Sequence, residues 1–250
     1  MSIIRGIRKK LRPIRRLTEA VHTRLVELPY RMRQPIKGSA DWLIRKEIVY
    51  GGLVSDVPRR RISPHDGRSA AQLATGGMTG GDRMLHNGYA ATYARCLAPF
   101  LNDKHLTLAE FGILKGTGLS MWCDLFPDSH IIGLDIDLGH FSGNRDELVR
   151  RGAFTHNQPE LHEYDQLVDN REMLSKVLNG RSLDIVIDDG LHSRASIVTT
   201  WRSVAPHLSP RFVYFIEDYG NLLEACADEF AGFDCHADGM LTVISAGVSV

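Results

Sequence analysis

Apolar residues in this chain follow two spacings. In the second half they form short continuous runs, at 106–111, 130–134, 161–164, 184–189 and 212–216, rich in β-branched and aromatic side chains. Runs of that length and composition predict buried strands. Between them apolar residues recur every three or four positions, which predicts helices over 83–101, 119–125, 169–178, 195–204 and 222–230. The stretch 136–160 is polar and carries no element in this reading. Strand–helix alternation implies a parallel sheet wrapped by helices, an α/β fold. At the end of the chain, 233–237 and 241–246 flank Asp238-Gly239, a favourable hairpin turn. The hairpin adds an antiparallel pair at one edge, for seven strands.

The first part of the chain has a different pattern. Ile3, Ile7, Leu11, Ile14, Leu17, Val21 and Leu25 recur at helical spacing with Arg and Lys on the other faces, and Pro13 breaks the run near Arg12. Residues 51–81 are rich in Gly, Arg, Ser and Pro, as linkers are. The expected division is 1–75, a basic helical arm and linker, and 76–250, the α/β domain. Formal net charge is zero, but residues 1–61 hold 16 Lys and Arg against 5 Asp and Glu, a balance of +11, so the remainder carries −11. Two readings of the arm stay open. A basic amphipathic helix suits an anionic membrane surface, here through residues 1–30. It also suits docking on its own domain or on a second copy, giving a homo-oligomer. No nucleic acid is expected as a partner. Cys96, Cys123, Cys226 and Cys235 show no paired spacing, which favours reduced thiols. With no run of about 18 apolar residues and no signal-type apolar stretch, the expected location is cytoplasmic, with the inner membrane face as the peripheral alternative.

Charge gathers where the strands end. The run at 184–189 closes in Asp188-Asp189-Gly190-Leu191-His192, and the run at 212–216 closes in Glu217-Asp218. In a parallel sheet the residues just past the strand ends form the ligand crevice. Between the first strand and its helix lies Glu110-Phe111-Gly112-Ile113-Leu114-Lys115-Gly116-Thr117-Gly118, whose glycines permit close approach of backbone and ligand. Glu110 before the turn suits a ligand with an ammonium group, and Asp135 at the next strand end suits a ribose. Both fit an adenosyl ligand without phosphate, such as S-adenosylmethionine. A short-chain dehydrogenase also shows this glycine spacing, but the Tyr-xxx-Lys pair it needs is absent.

These residues resemble a family. Glu110-Phe111-Gly112, Gly116, Met121-Trp122, Phe126-Pro127 and Ile132-Gly133-Leu134-Asp135-Ile136-Asp137 look like class I S-adenosylmethionine-dependent methyltransferases. More narrowly they resemble the macrolide-sugar and rhamnosyl O-methyltransferase group. Asp82-Arg83, His86, Tyr89 and Tyr93 resemble that group's Asp-Lys, His, Tyr, Tyr signature, with Arg for Lys. Asp165-Gln166 matches its Asp-Gln, Asp188-Asp189-Gly190-Leu191-His192 its Asp-Asp-Gly-Ser-His, and Glu217-Asp218 its Glu-Asp. Gly116-Thr117-Gly118 stands where the group has Gly-Gly-Ser. The resemblance covers about 81–219 and implies a Rossmann-like, seven-stranded, mostly parallel sheet. It implies S-adenosylmethionine held by Glu110, Gly112, Gly116, Asp135, Asp165, Gln166 and Asp188. It also implies Mg²⁺ held by Asp189, Glu217 and Asp218, His192 as general base, and a sugar-containing acceptor. A cation would lower the acceptor hydroxyl's pKa and relieve repulsion among three packed carboxylates. Imidazole, which titrates near neutral pH, suits the proton transfer. The alternative is a non-catalytic cofactor-binding or scaffold protein targeted by its arm.

Overall fold

The computed structural model describes residues 25–52 and 81–248. Most of the predicted arm and linker lies outside the described residues. Seven strands, β1 Thr107–Phe111, β2 His130–Asp135, β3 Glu160–Glu163, β4 Leu183–Asp188, β5 Leu208–Ile216, β6 Asp234–Asp238 and β7 Leu241–Ala246, form one sheet in the order β3-β2-β1-β4-β5-β7-β6. β1 to β5 pair in parallel, while β7 runs antiparallel to both β5 and β6. This is the Rossmann-like sheet with a terminal hairpin that the sequence pattern predicts. The hairpin loop falls one residue later than expected, with Asp238 the last paired residue before it.

Besides a helical stretch at 25–32, the helices among the described residues are α1 Ala40–Tyr50, α2 Ala90–Leu97, α3 Thr117–Leu125, α4 Gly139–Arg150, α5 Arg171–Leu178, α6 Arg194–Val204 and the short α7 Leu222–Ala225. Central strands are buried on both faces, which explains their continuous apolar runs. On one face Leu108, Ile185, Ile187, Val213 and Phe215 share a core with Tyr93 and Trp122. On the other, Phe111, Val186, Tyr214 and Ile216 pack with Trp201. β6 is exposed throughout, and its terminal Asp234 and Asp238 discourage further pairing at that edge.

Three elements differ from the sequence expectation. The helix expected over 83–101 starts only at Ala90, because residues 82–88 form a loop, and a 3-10 turn at Ala98–Phe100 follows it. α4 fills the stretch left blank; its apolar contribution is little more than Phe141 and Leu148. α1 lies inside the stretch read as arm and linker, yet Trp42, Leu43, Ile44 and Tyr50 are buried in the same core as Tyr93 and Trp122. The packed unit therefore reaches back at least to Ala40, ahead of the boundary expected at residue 76.

α1 also fixes the 82–88 loop. Its Glu47 is 2% exposed and accepts hydrogen bonds from the backbone N–H groups of Met84 (2.8 Å) and Leu85 (3.0 Å). Glu47→Ala would leave one buried and one partly buried donor without acceptors, at about 1–3 kcal/mol for a fully buried one. Denaturant unfolding is expected to show a loss of about 2–4 kcal/mol for that variant, and a smaller loss for Glu47→Gln, which keeps one acceptor oxygen.

Candidate functional site

The chain order reverses at β1, whose neighbours are β2 and β4. Such a switch point opens a crevice beyond the strand ends. There, a cleft of about 650 Å³ including its open mouth is lined by Arg83, Glu110, Gly112, Lys115, Thr117, Gly118, Asp189, His192 and Asp218, among others. The backbone is tight at this place. Gly112 (φ +87°) passes so close to the Asp189 carbonyl that a Cβ would collide with it. Gly116 (φ +84°) caps α3 and lies against the Phe141 ring. These glycines first serve internal packing, which brings the β1 turn against the end of β4. Three cleft residues other than glycine, Leu114, His192 and Asp218, have positive φ. Such strain is stored at functional sites more often than elsewhere.

At the floor of the cleft lies Arg83. Its Nη2 is 2.6 Å from Asp189 Oδ2 and 2.9 Å from Glu110 Oε1, and its Nε is 2.7 Å from Glu217 Oε1. The guanidinium also sits over the Trp122 ring, 5.8 Å from its centroid. Glu217 further accepts a hydrogen bond from the Tyr93 hydroxyl, and Tyr93 stacks on Phe215 at 4.0 Å. Glu110 and Glu217 are each 1% exposed. Burial raises the pKa of both acids, against the pull of Arg83: Glu110 is pushed up to about 7 and Glu217 well above the carboxylate range. Glu110 Oε2 has no hydrogen-bond partner in the structure. A buried carboxylate oxygen left so at a cleft wall is a place for a cationic or hydrogen-donating ligand group.

His192 and Asp218 line the same cleft. His192 Nδ1 lies 3.2 Å from the Glu217 backbone carbonyl, which can only accept, so Nδ1 is the donor of that hydrogen bond. Nε2 is 3.6 Å from Asp189 Oδ1. Asp218 Oδ1 accepts from the Tyr89 hydroxyl at 2.8 Å. One donor atom each from Asp189, His192 and Asp218 lies within 4.8 Å of the others, a grouping able to hold a cation.

The residues expected at the site therefore divide. Glu110, Gly112, Asp189, His192 and Asp218 line one cleft. Gly116 shapes the turn from behind. Asp135 accepts from the backbone N–H groups of Leu114 (2.9 Å) and Asp137 (3.0 Å), holding the glycine turn. Asp165 accepts from the Leu167 N–H. Gln166 donates to Asp188 at 2.6 Å and accepts from the Leu191 N–H at 2.8 Å, and Asp188 also accepts from the Tyr214 hydroxyl. Asp188 thus faces away from Asp189, as strand alternation requires. Glu217, expected among the metal ligands, is engaged by Arg83 and Tyr93 and is not in the cation-capable group. Arg83 was not identified as a site residue from the sequence. The signal was present in the Asp82-Arg83 match and in the excess of strand-end acids needing a counter-charge.

No family model matches the chain. Among characterised proteins it is similar to three sugar O-methyltransferases. It is 28% identical over 168 residues to the 8-demethyl-8-alpha-L-rhamnosyl tetracenomycin-C 2'-O-methyltransferase of Streptomyces olivaceus, covering 64% of this chain and 40% of that one. It is 36% identical over 105 residues to the mycinamicin VI 2''-O-methyltransferase of Micromonospora griseorubida, covering 41% and 23%. The chain spans less than half the length of these relatives. Among solved structures, MycE methyltransferase in complex with Mg, SAH and mycinamycin VI aligns at a TM-score of 0.49 with 22% identity, over 65% of this chain and 51% of that one. The resemblance drawn from the motifs is matched by sequence similarity, over 41% to 64% of this chain, to the same group of proteins.

Asp188 titrates near about 6, pushed up mainly by burial against the hydrogen bond from Gln166, as Glu110 is pushed to about 7. A carboxyl whose pKa is raised on folding holds its proton more tightly in the folded state. Its contribution to stability therefore falls as pH rises from the ordinary carboxylate value through the raised one. Thermal unfolding from about pH 5 to 7.5 is expected to show Glu110→Gln and Asp188→Asn gaining stability relative to the parent as pH rises. A constant difference across that range would contradict the assignment.

Proposed function

We propose that this chain transfers a methyl group from S-adenosylmethionine to a sugar hydroxyl of a glycan, glycolipid or glycosylated natural product. The observation that carries the reading is the shared cleft at the β1/β4 switch point. Its lining includes Glu110, whose buried Oε2 has no partner, together with His192, whose Nδ1 is held by the Glu217 carbonyl and whose Nε2 lies near Asp189. The similarity to three sugar O-methyltransferases supports the chemistry.

S-adenosylmethionine, when bound, supplies an electrophilic methyl on a positively charged sulfur. In this chain Glu110 receives the donor's ammonium group, and the turn from Gly112 to Gly118, held by Asp135, shapes the surface beside it. Gln166 and Asp188 brace the end of β4 so that Asp189 and His192 keep their places, and Asp165 holds the loop that carries Gln166. His192 Nε2 takes the proton of the acceptor hydroxyl as its oxygen forms the new bond to the methyl carbon. The departing sulfur would keep the electron pair of the carbon–sulfur bond as a neutral thioether, so that charge and atoms balance. A divalent cation fits the oxygen donors of Asp189 and Asp218, where Mg²⁺ would supply Lewis acidity to the hydroxyl.

Replacing His192 with Ala is expected to slow methyl transfer by about 10²–10⁴ while changing calorimetric affinity for S-adenosylmethionine only a few-fold. Excess EDTA is expected to suppress turnover. Product analysis by mass spectrometry with rhamnosylated acceptors distinguishes this from a non-catalytic binding protein, which would bind the donor and yield no methylated product. An H192A variant as active as the parent would sink the proton-transfer role.

The basic N-terminal segment carries a second part of the proposal, peripheral contact with an anionic membrane. Next to its surplus of +11, Leu25, Leu28, Met32 and Ile36 are exposed, from 48% to 84%. Among the described residues no helix is long and apolar enough to cross a membrane. Co-sedimentation with anionic liposomes is expected for the full chain and not for a chain beginning at Gly38; equal sedimentation removes the idea.

A further inference from the structure

Glu217 and Asp218 are neighbours in the chain, and the family resemblance gives both to the metal. The structure separates them. Glu217 turns inward, with Arg83 Nε 2.7 Å from Oε1 and 3.0 Å from Oε2, and with the Tyr93 hydroxyl on Oε1. Asp218, at φ +55°, turns outward to Tyr89 and the cleft. Asp189 is divided between the two sides: Oδ2 meets Arg83, whereas Oδ1 points towards His192.

From this geometry we infer that Arg83 is a positioning residue that takes Glu217 out of the cation's ligand set. The protein ligands that remain are Asp189 and Asp218, with His192 left open for the proton. This inference rests on the cation part of the proposed function.

The physical argument is one of replacement cost. Glu217 could reach a cation only by leaving Arg83 and Tyr93, and would take from the buried guanidinium one of its three carboxylate partners. Arg83 cannot follow it easily. The backbone beside it is tied to Glu47 through Met84 and Leu85, and its side chain lies over Trp122. The resemblance gives Lys at this position in the related group. A Lys ammonium is a compact point charge, whereas the planar guanidinium fork spans Glu217, Asp189 and Glu110 at once. Two carboxylates with several retained waters suit Mg²⁺, which gives up water reluctantly.

The test uses Mn²⁺ as a paramagnetic probe on the full chain, read by electron paramagnetic resonance without donor or acceptor. Asp189→Asn and Asp218→Asn are expected to weaken Mn²⁺ binding at least about tenfold, and Glu217→Gln and His192→Gln less than about threefold. In an Arg83→Gln background, Glu217→Gln is expected to cost about tenfold, because the freed carboxylate would then ligate. If Glu217→Gln weakens binding as much as Asp218→Asn in the parent chain, the inference is overturned. An equal cost of Glu217→Gln in both backgrounds also overturns it. Should either Arg83 or Glu217 variant fail to fold, the parent chain alone decides. Double resonance in ¹⁷O water would count about four exchangeable waters on an octahedral ion with two monodentate carboxylates, and a count that rises by one on Glu217→Gln in the parent chain would mean that Glu217 ligates. Absence of Mn²⁺ binding to the parent chain would end both the inference and the cation part of the function, while leaving donor binding, measured separately by calorimetry, to stand or fall alone.

Discussion

One guanidinium among three carboxylates, two of them buried, is the contact on which the site depends. Arg83 brings together Glu110 from the end of β1, Asp189 from the end of β4 and Glu217 from the end of β5. Without it these acids would meet in a low-dielectric floor with only protons to balance them, and burial already pushes their pKa values upward. One positive charge against three acids also leaves the floor with a surplus of negative charge or of bound protons. That surplus attracts a cationic ligand, and the open Glu110 Oε2 shows where such a ligand would meet it.

Arg83 can do this only because other parts of the chain hold it. The loop 82–88 has no helix of its own to fix it; it borrows two backbone hydrogen bonds from Glu47 on α1. α1 in turn is fixed by burying Trp42, Leu43, Ile44 and Tyr50 in the core that also contains Trp122, the ring beneath Arg83. Apolar burial thus reaches the charged cluster through two steps. A cavity made in α1 would be felt at the carboxylates, although no residue of α1 except Glu47 borders the cleft.

The sheet was legible because its central strands are buried on both faces and therefore appear as unbroken apolar runs ending in polar residues. The same abrupt endings pointed to Glu110, Asp189, His192 and Asp218. α4 escaped because it offers only Phe141 and Leu148 as an apolar stripe and carries two glycines, so its pattern is that of a loop. The division between neighbouring acids was half legible. Alternation along β4 separates Asp188 from Asp189, but nothing in the sequence separates Glu217 from Asp218, which lie past the strand end where alternation no longer applies. Arg83 was hidden by distance: it lies 106 and 134 residues before the acids it pairs with. Only the fold brings that charge to them.

Separation of the acids into an inner and an outer set gives the cleft two electrostatic zones. The inner set, around Arg83, is fixed by short ion pairs at the cleft floor. The outer set, Asp189 Oδ1, His192 Nε2 and Asp218, lies within reach of one cation. In the proposed reaction, proton transfer and cation binding need groups that can change partners, whereas donor recognition needs groups that cannot. Placing Asp189 across the boundary, with one oxygen in each zone, makes the outer geometry depend on the inner charge. A change at Arg83 would therefore reach His192 through Asp189, without any contact between the Arg83 side chain and the acceptor.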